Sequence, residues 1–241
     1  MANAYIVDAC RTPRGIGKVG KGALAHLHPS YLGSTVLAAM AQRNDLNTAE
    51  VDDIIWGTSS QTGKQGGDLG RMAALNAGYD VRSSGVTLDR FCGSGITTVN
   101  LAAAQIMSGM EDLVIAGGTE MMSYHGQIAD PAKPPMIDSG NLELRAIHPQ
   151  SQQGVCADAI ATLEAIDRDA VDNLALVSQA RAARAIDEGR FDKSLVTVKN
   201  PDGTVALDHE EFPRPETTKE GLSELKTVFS VVRDVPVDEA G

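Results

Sequence analysis

At 241 residues, 42% hydrophobic and 22% charged, the chain has the composition of a globular protein with room for one large core. Its net charge of -11 and scattered basic residues argue against a nucleic-acid partner, because phosphate binding needs clustered Lys and Arg. The three cysteines, at positions 10, 92 and 156, have no metal-ligand spacing and cannot all pair, and no apolar run reaches membrane-spanning length.

Those cysteines suit a reducing compartment, and the opening MANAYIVDACRTPRG lacks a signal-peptide pattern. The expectation is a soluble cytoplasmic chain with no metal and no membrane partner. Sparse aromatics, 4% of residues, and small-residue runs such as VLAAMA and LAAAQIM favour helices packed closely on a sheet, an α/β layering. The acidic excess is concentrated late: residues 201–241 carry ten acids against four bases, so an anionic ligand there needs one well-placed base.

Residues 4–10, AYIVDAC, read as a strand, followed by a loop with Pro13 and four glycines. Residues 31–43 have helical spacing, with Ser30 as N-cap after Pro29. A second strand ends at Gly57, and GDLGRMAALNAG reads as a helix closed by Gly78. Residues 85–89 make a third strand, 93–109 a strong helix, and 111–123 contain a fourth strand whose apolar continuity suggests burial on both faces of a parallel or mixed sheet.

After residue 123 a Pro-, Gly- and polar-rich stretch, too long for an ordinary connection, opens an inserted excursion. VCADAIATLEAI and RDAVDNLALVSQARAARAIDEGR follow as helices, the second capped by Asp167. KSLVTVKN is strand-like, PDGTVALDHEEFPRPETT reads as turns and exposed loop, and KEGLSELKT as a short helix. VFSVVRDVPV is a last β-branched run, and its place just before the end suggests a fold cut short.

GIGKVG, residues 15–20, spells a dinucleotide fingerprint in the wrong context, because it does not open a helix and no acid ends a second strand at the proper distance. A flexible loop is the better reading. His26, His28, His125, His148 and His209 show no metal-binding spacing and read as ordinary loop or core histidines. Glu120 in GGTEMMS reads as part of a turn packed under a core.

Cys92, in RFCGSG, sits where a strand ends and a long helix begins, the position at which open α/β sheets place their chemistry. A helix N-terminus presents unpaired amides and positive potential, a setting that favours a thiolate. Gly93 and Gly95 would let an acyl group approach the backbone, and the Cys92 amide could donate to an oxyanion. From the residues alone, a nucleophile and a small buried apolar residue remain equal readings.

In this order VDACRTPRG, GRMAALNAG, RFCGSG, AGGTEMMS, RAARAIDEGRFDKSLVTV and RPETTKEGLSELKTVF resemble the N-terminal part of a thiolase, along essentially the whole chain. The resemblance implies a layered α/β half, a mixed sheet flanked by helices, with an inserted, mostly helical loop domain. It divides the chain into 1–122 with the nucleophile, 123–228 as a coenzyme A-binding loop domain, and 229–241 as a truncated return strand. It implies an acyltransferase that carries the acyl group on Cys92, with acyl-CoA and coenzyme A as substrates and no permanently bound cofactor. Arg214, Gly221, Phe229 and Gln153 match positions that meet coenzyme A, and a homodimer or homotetramer is implied.

Two positions depart from the family pattern: Gln153 stands for a methionine that touches the cofactor, and Asp89 for a common Asn before the nucleophile. The family's Gly-His-Pro, Asn-Glu and Cys-x-Gly motifs do not occur in these 241 residues. The alternative is therefore an inactive or split half that serves as a coenzyme A-binding or dimerisation module.

Overall fold

The computed structural model describes residues 3–129, 138 and 140–230. Contacts divide the chain into two compact units, residues 1–128 with 191–212 and residues 129–190 with 213–241.

The first unit is built on three strands, β1 (Asp53–Gly57), β2 (Val86–Leu88) and β3 (Val114–Gly118), ordered β2-β1-β3. Helices occupy the connections: α2 (Leu69–Asn76) joins β1 to β2, and α3 (Ser94–Ser108) joins β2 to β3. Such crossovers bring successive strands back in the same direction, and both pairings are parallel, with Trp56 opposite Thr87 and Gly117. No antiparallel strand joins this sheet among the described residues. The sheet expected as mixed is thus represented by its parallel part.

Side-chain alternation along β1 assigns the layers. Ile54 and Trp56 face α1 (Pro29–Arg43) and α2, in a core with Leu37, Val51, Leu69, Ala73, Ala74 and Tyr79. Gly57 faces the other way, where a Cβ would stand 2.9 Å from the Cβ of Ser94 on α3. Helices therefore cover both faces of β1. β3 is the half-buried edge.

Several expectations need correction. Residues 4–10 form no strand; Tyr5, Ile6 and Val7 are exposed, with no ladder partner alongside among the described residues. The N-cap of α1 is His28, whose Nδ1 accepts from the Ser30 amide at 3.2 Å, so Pro29 takes the first helical position and Ser30 lies inside the turn. The GIGKVG loop opens no helix and is held by Glu211, which accepts from the amides of Ile16 at 2.8 Å and Ala23 at 3.1 Å.

The stretch expected as exposed loop after residue 200 contains β5 (Val205–Leu207), which pairs antiparallel with β4 (Val198–Lys199). Asn200 and Gly203 close the turn, Gly203 with φ of +87°. Val198 and Leu207 join Leu24 and Leu27 in a second cluster, while buried Glu210 pairs with Arg11 and Arg14. Residues 191–212 consequently pack with the first unit, unlike the sequence division at 123 and 228.

The stretch after residue 123 is partly helical: α4 (Met122–Ile128) belongs to the first unit and α5 (Leu142–Ile147) to the second. The second unit also holds α6 (Gln153–Leu163), α7 (Arg168–Asp187) and α8 (Lys219–Ser223). Asp167 caps α7 as expected, accepting from the Ala170 amide at 2.8 Å. Of the return strand expected over 229–241, residues 231–241 lie outside the described residues.

Candidate active site

The C-terminal ends of β1, β2 and β3 lead into Thr58, Asp89 and Thr119, so the loops that follow gather at one edge of the parallel sheet. Cys92 lies in the loop between β2 and α3 and is exposed. The N-cap of α3 is Gly93, and no side chain caps the helix, so no side-chain acceptor occupies its first amides.

The turn before Cys92 is tightly specified. Phe91 has φ of +48°, a left-handed conformation costly for a bulky residue, and Asp89 accepts from its amide at 2.7 Å. The Gly93 and Ser94 amides donate to the carbonyls of Arg90 and Phe91 at 3.0 and 3.1 Å. The strained position is thus Phe91 rather than a glycine. A Cβ on Gly95 would meet nothing within 4 Å.

Glu120 organises the neighbouring loops. Its carboxylate accepts from the Ser59 amide and hydroxyl, both at 2.5 Å, from the Thr58 hydroxyl at 3.3 Å and from Gln65 Nε2 at 2.9 Å. His125 Nε2 lies 2.6 Å from the same carboxylate oxygen that accepts from Gln65. Burial pushes the Glu120 carboxyl up, but the hydrogen bonds from Gln65, Ser59 and His125 outweigh it and hold the group below the ordinary glutamate value. Gln65 is fully buried and returns a bond, its Oε1 accepting from the Met121 amide at 2.9 Å.

The sequence marks Glu120 only as a turn residue and His125 only as an ordinary histidine. Their spacing of five residues carries no recognised signal, and the Ser59 and Gln65 partners come from another loop. Cys10 is no second candidate: burial pushes its thiol up, and its Sγ lies 3.6 Å from the Val36 carbonyl. Among the described residues no group of three His, Cys, Asp or Glu converges to hold a metal. No helix among them is long and apolar enough to cross a membrane.

The other four predicted positions lie in the second unit. Gln153 opens α6, and the Phe229 ring packs on its neighbour Gly154, where a Cβ would come within 2.0 Å of the ring. The Arg214 amide donates to Gln179 of α7 at 2.7 Å. Gly221 lies in the first turn of α8 and donates to the capping Thr218 hydroxyl at 3.1 Å. Gln153 and Phe229 are thus close through Gly154, while Arg214 and Gly221 are set by separate contacts.

The family model "Thiolase, N-terminal domain" matches residues 4–233. The chain is similar to a beta-ketoadipyl-CoA thiolase of Acinetobacter baylyi, 37% identical across 95% of this chain and 60% of that protein. It is similar to a 3-ketoacyl-CoA thiolase of Vibrio vulnificus, 35% identical across 95% of this chain and 58% of that protein, and to one of Psychrobacter cryohalolentis at 32%. The chain spans about 58–60% of the length of these relatives. The ordered motifs, the parallel α/β unit with Cys92 before α3, and the match to nearly the whole sequence together show that the chain belongs to the thiolase family, corresponding to its N-terminal part.

Proposed function

We propose that this chain supplies the acyl-accepting part of a thiolase-type acyltransferase, with Cys92 as nucleophile. The observation that carries the reading is an exposed thiol ahead of the uncapped first turn of α3, at the C-terminal edge of a parallel sheet. The Cys92 thiolate adds to the carbonyl of an acyl-CoA thioester, and the tetrahedral intermediate collapses as the bond to the coenzyme A sulfur breaks. Coenzyme A leaves as a thiolate that takes up a proton. The acyl group remains on Cys92 as a new thioester. Backbone amides near the turn stabilise the negative oxygen while it exists.

The names of the relatives specify a keto group β to a coenzyme A thioester, and a 3-ketoacyl-CoA is the substrate class proposed here. In thiolysis the thiolate adds instead to the 3-keto carbonyl, the C2–C3 bond breaks, and acetyl-CoA leaves as an enolate that takes up a proton. The shortened acyl group stays on Cys92 until a second coenzyme A removes it. In condensation a second acetyl-CoA loses an α-proton, its carbon adds to the acetyl carbonyl on Cys92, and the C–S bond breaks to release acetoacetyl-CoA and the Cys92 thiolate. Coenzyme A binds as substrate through Arg214, Gly221, Phe229 and Gln153, Arg214 being the base required among the late acidic residues. Fatty acid metabolism in the cytoplasm, in a homodimer or homotetramer, is the setting proposed.

The second reading is a coenzyme A-binding or dimerisation module without turnover, built on the same coenzyme A positions Arg214, Gly221, Phe229 and Gln153. Intact mass after incubation with acetyl-CoA separates the two. The first reading expects one acetyl group on Cys92, absent in Cys92→Ala. Coenzyme A binding with no adduct supports the module instead.

A further inference from the structure

One hydroxyl ties together the segments that set the Cys92 turn. Ser94 is 4% exposed, and its Oγ accepts from the Arg90 amide at 2.8 Å. The same oxygen lies 2.7 Å from the Phe91 carbonyl and 3.3 Å from the Thr58 carbonyl, the two acceptors for its single proton. Thr58 follows the central strand, so the hydroxyl links the turn to the most buried part of the sheet. Gly57 permits this approach, because a Cβ there would stand 2.9 Å from Ser94 Cβ.

The Phe91 carbonyl belongs to the peptide that also contains the Cys92 amide. Peptide planarity with a trans bond sets that N–H opposite the C=O, so holding one direction holds the other. The carbonyl is held twice, by the Ser94 hydroxyl and by the Ser94 amide at 3.1 Å. The Cys92 N–H is thereby aimed away from Ser94. The peptide across the left-handed Phe91 is held by Asp89, which accepts from the Phe91 amide at 2.7 Å, and the bond from the Arg90 amide to Ser94 holds the peptide before that.

We propose that Ser94 is a positioning residue for acyl transfer: by fixing the Phe91–Cys92 peptide plane it aims the Cys92 amide at the oxyanion formed when the Cys92 thiolate attacks. This rests on the acyl-acceptor reading of Cys92. It adds no group that touches the substrate. It assigns to a buried hydroxyl the orientation of one that does.

The test compares two reactions at the same sulfur, followed by peptide mass on the 241-residue chain. Acetylation by p-nitrophenyl acetate passes through an oxyanion, whereas alkylation by iodoacetamide displaces iodide at carbon and does not. Removing the alignment of one oxyanion donor is expected to lower the ratio of acetylation to alkylation rates in Ser94→Ala by about ten-fold or more. Ser94→Thr keeps the hydroxyl and is expected to hold the ratio within about three-fold. Gly57→Ala crowds Ser94 from below, and the lowered ratio expected of it keeps the test decisive should Ser94→Ala fail to fold.

An unchanged ratio in Ser94→Ala, or in Gly57→Ala where it stands alone, overturns the proposal. An equal fall in the Ala and Thr variants also overturns it, since the hydroxyl would then not be responsible. Acetyl-CoA run in parallel separates this result from the function proposed above. If acetyl-CoA leaves Cys92 unmodified while the ester ratio falls as expected, the acyl-CoA reading fails and the positioning role of Ser94 stands.

Discussion

Trp56 occupies space that glycines on three elements leave open. A Cβ on Gly70 of α2 would stand 2.4 Å from Trp56 Cβ, one on Gly117 of β3 2.4 Å from the ring, and one on Gly33 of α1 3.3 Å from it. The indole N–H donates to the Thr119 hydroxyl at 3.0 Å, so this large side chain is buried without an unpaired donor. Gly117→Ala is expected to destabilise the chain by about 1–3 kcal/mol, because the added methyl group overlaps a ring already confined from other sides. Trp56→Ala should cost about 3–5 kcal/mol through lost burial and the cavity left behind. Denaturant unfolding followed by circular dichroism checks both, and near-wild-type stability of Gly117→Ala would contradict this packing. Which glycines receive the lone Trp depends on elements up to about sixty residues away in the chain, and no local pattern in the sequence pairs them.

At the scale of elements, the loops after β1 and β3 are joined through the Glu120 carboxylate, and this joint has a pH signature. Its pKa is depressed in the folded chain, so its contribution is complete above the unfolded glutamate range and is lost as pH falls through the lower folded value. Glu120→Gln is expected to lower the melting temperature at neutral pH, with the gap to wild type closing as pH falls below the ordinary glutamate range. A gap that stays constant with pH would place the loss in shape rather than charge. Element boundaries are well marked in the sequence where punctuation is local: Gly57 ends β1, Gly109 adopts φ of +76° after α3, and Asp167 caps α7. β5 is hard to read from sequence because Pro201-Asp202-Gly203 is loop chemistry, although such a turn between short β-branched runs is also a hairpin signal.

At the scale of the whole molecule, α3 buries Ser94 and Thr98 but exposes Ile96, Val99 and Met107 along one stripe. Uncovered apolar surface of this kind drives association. The 241-residue chain is therefore expected to self-associate, with Ile96→Lys combined with Met107→Lys shifting it toward monomer in sedimentation velocity. A wild-type chain that sediments as a monomer at every concentration would show that the stripe is harmless.

The sequence by itself determined the α/β class, the alternation of helices and strands from α1 to β3, the thiolase resemblance and the place of Cys92 between strand and helix. Those features are written in local periodicity and in glycines at fixed offsets, which act within a few residues. Only the tertiary structure decided that residues 191–212 rejoin the first unit, that Glu120 and His125 meet Gln65 and Ser59, and that Ser94 clasps the turn before Cys92 to the end of β1. Each of these depends on side chains brought together by packing across tens of residues. Their hydrogen bonds leave no periodic trace in the chain, because a single long-range partner, not a repeated pattern, satisfies each buried polar group.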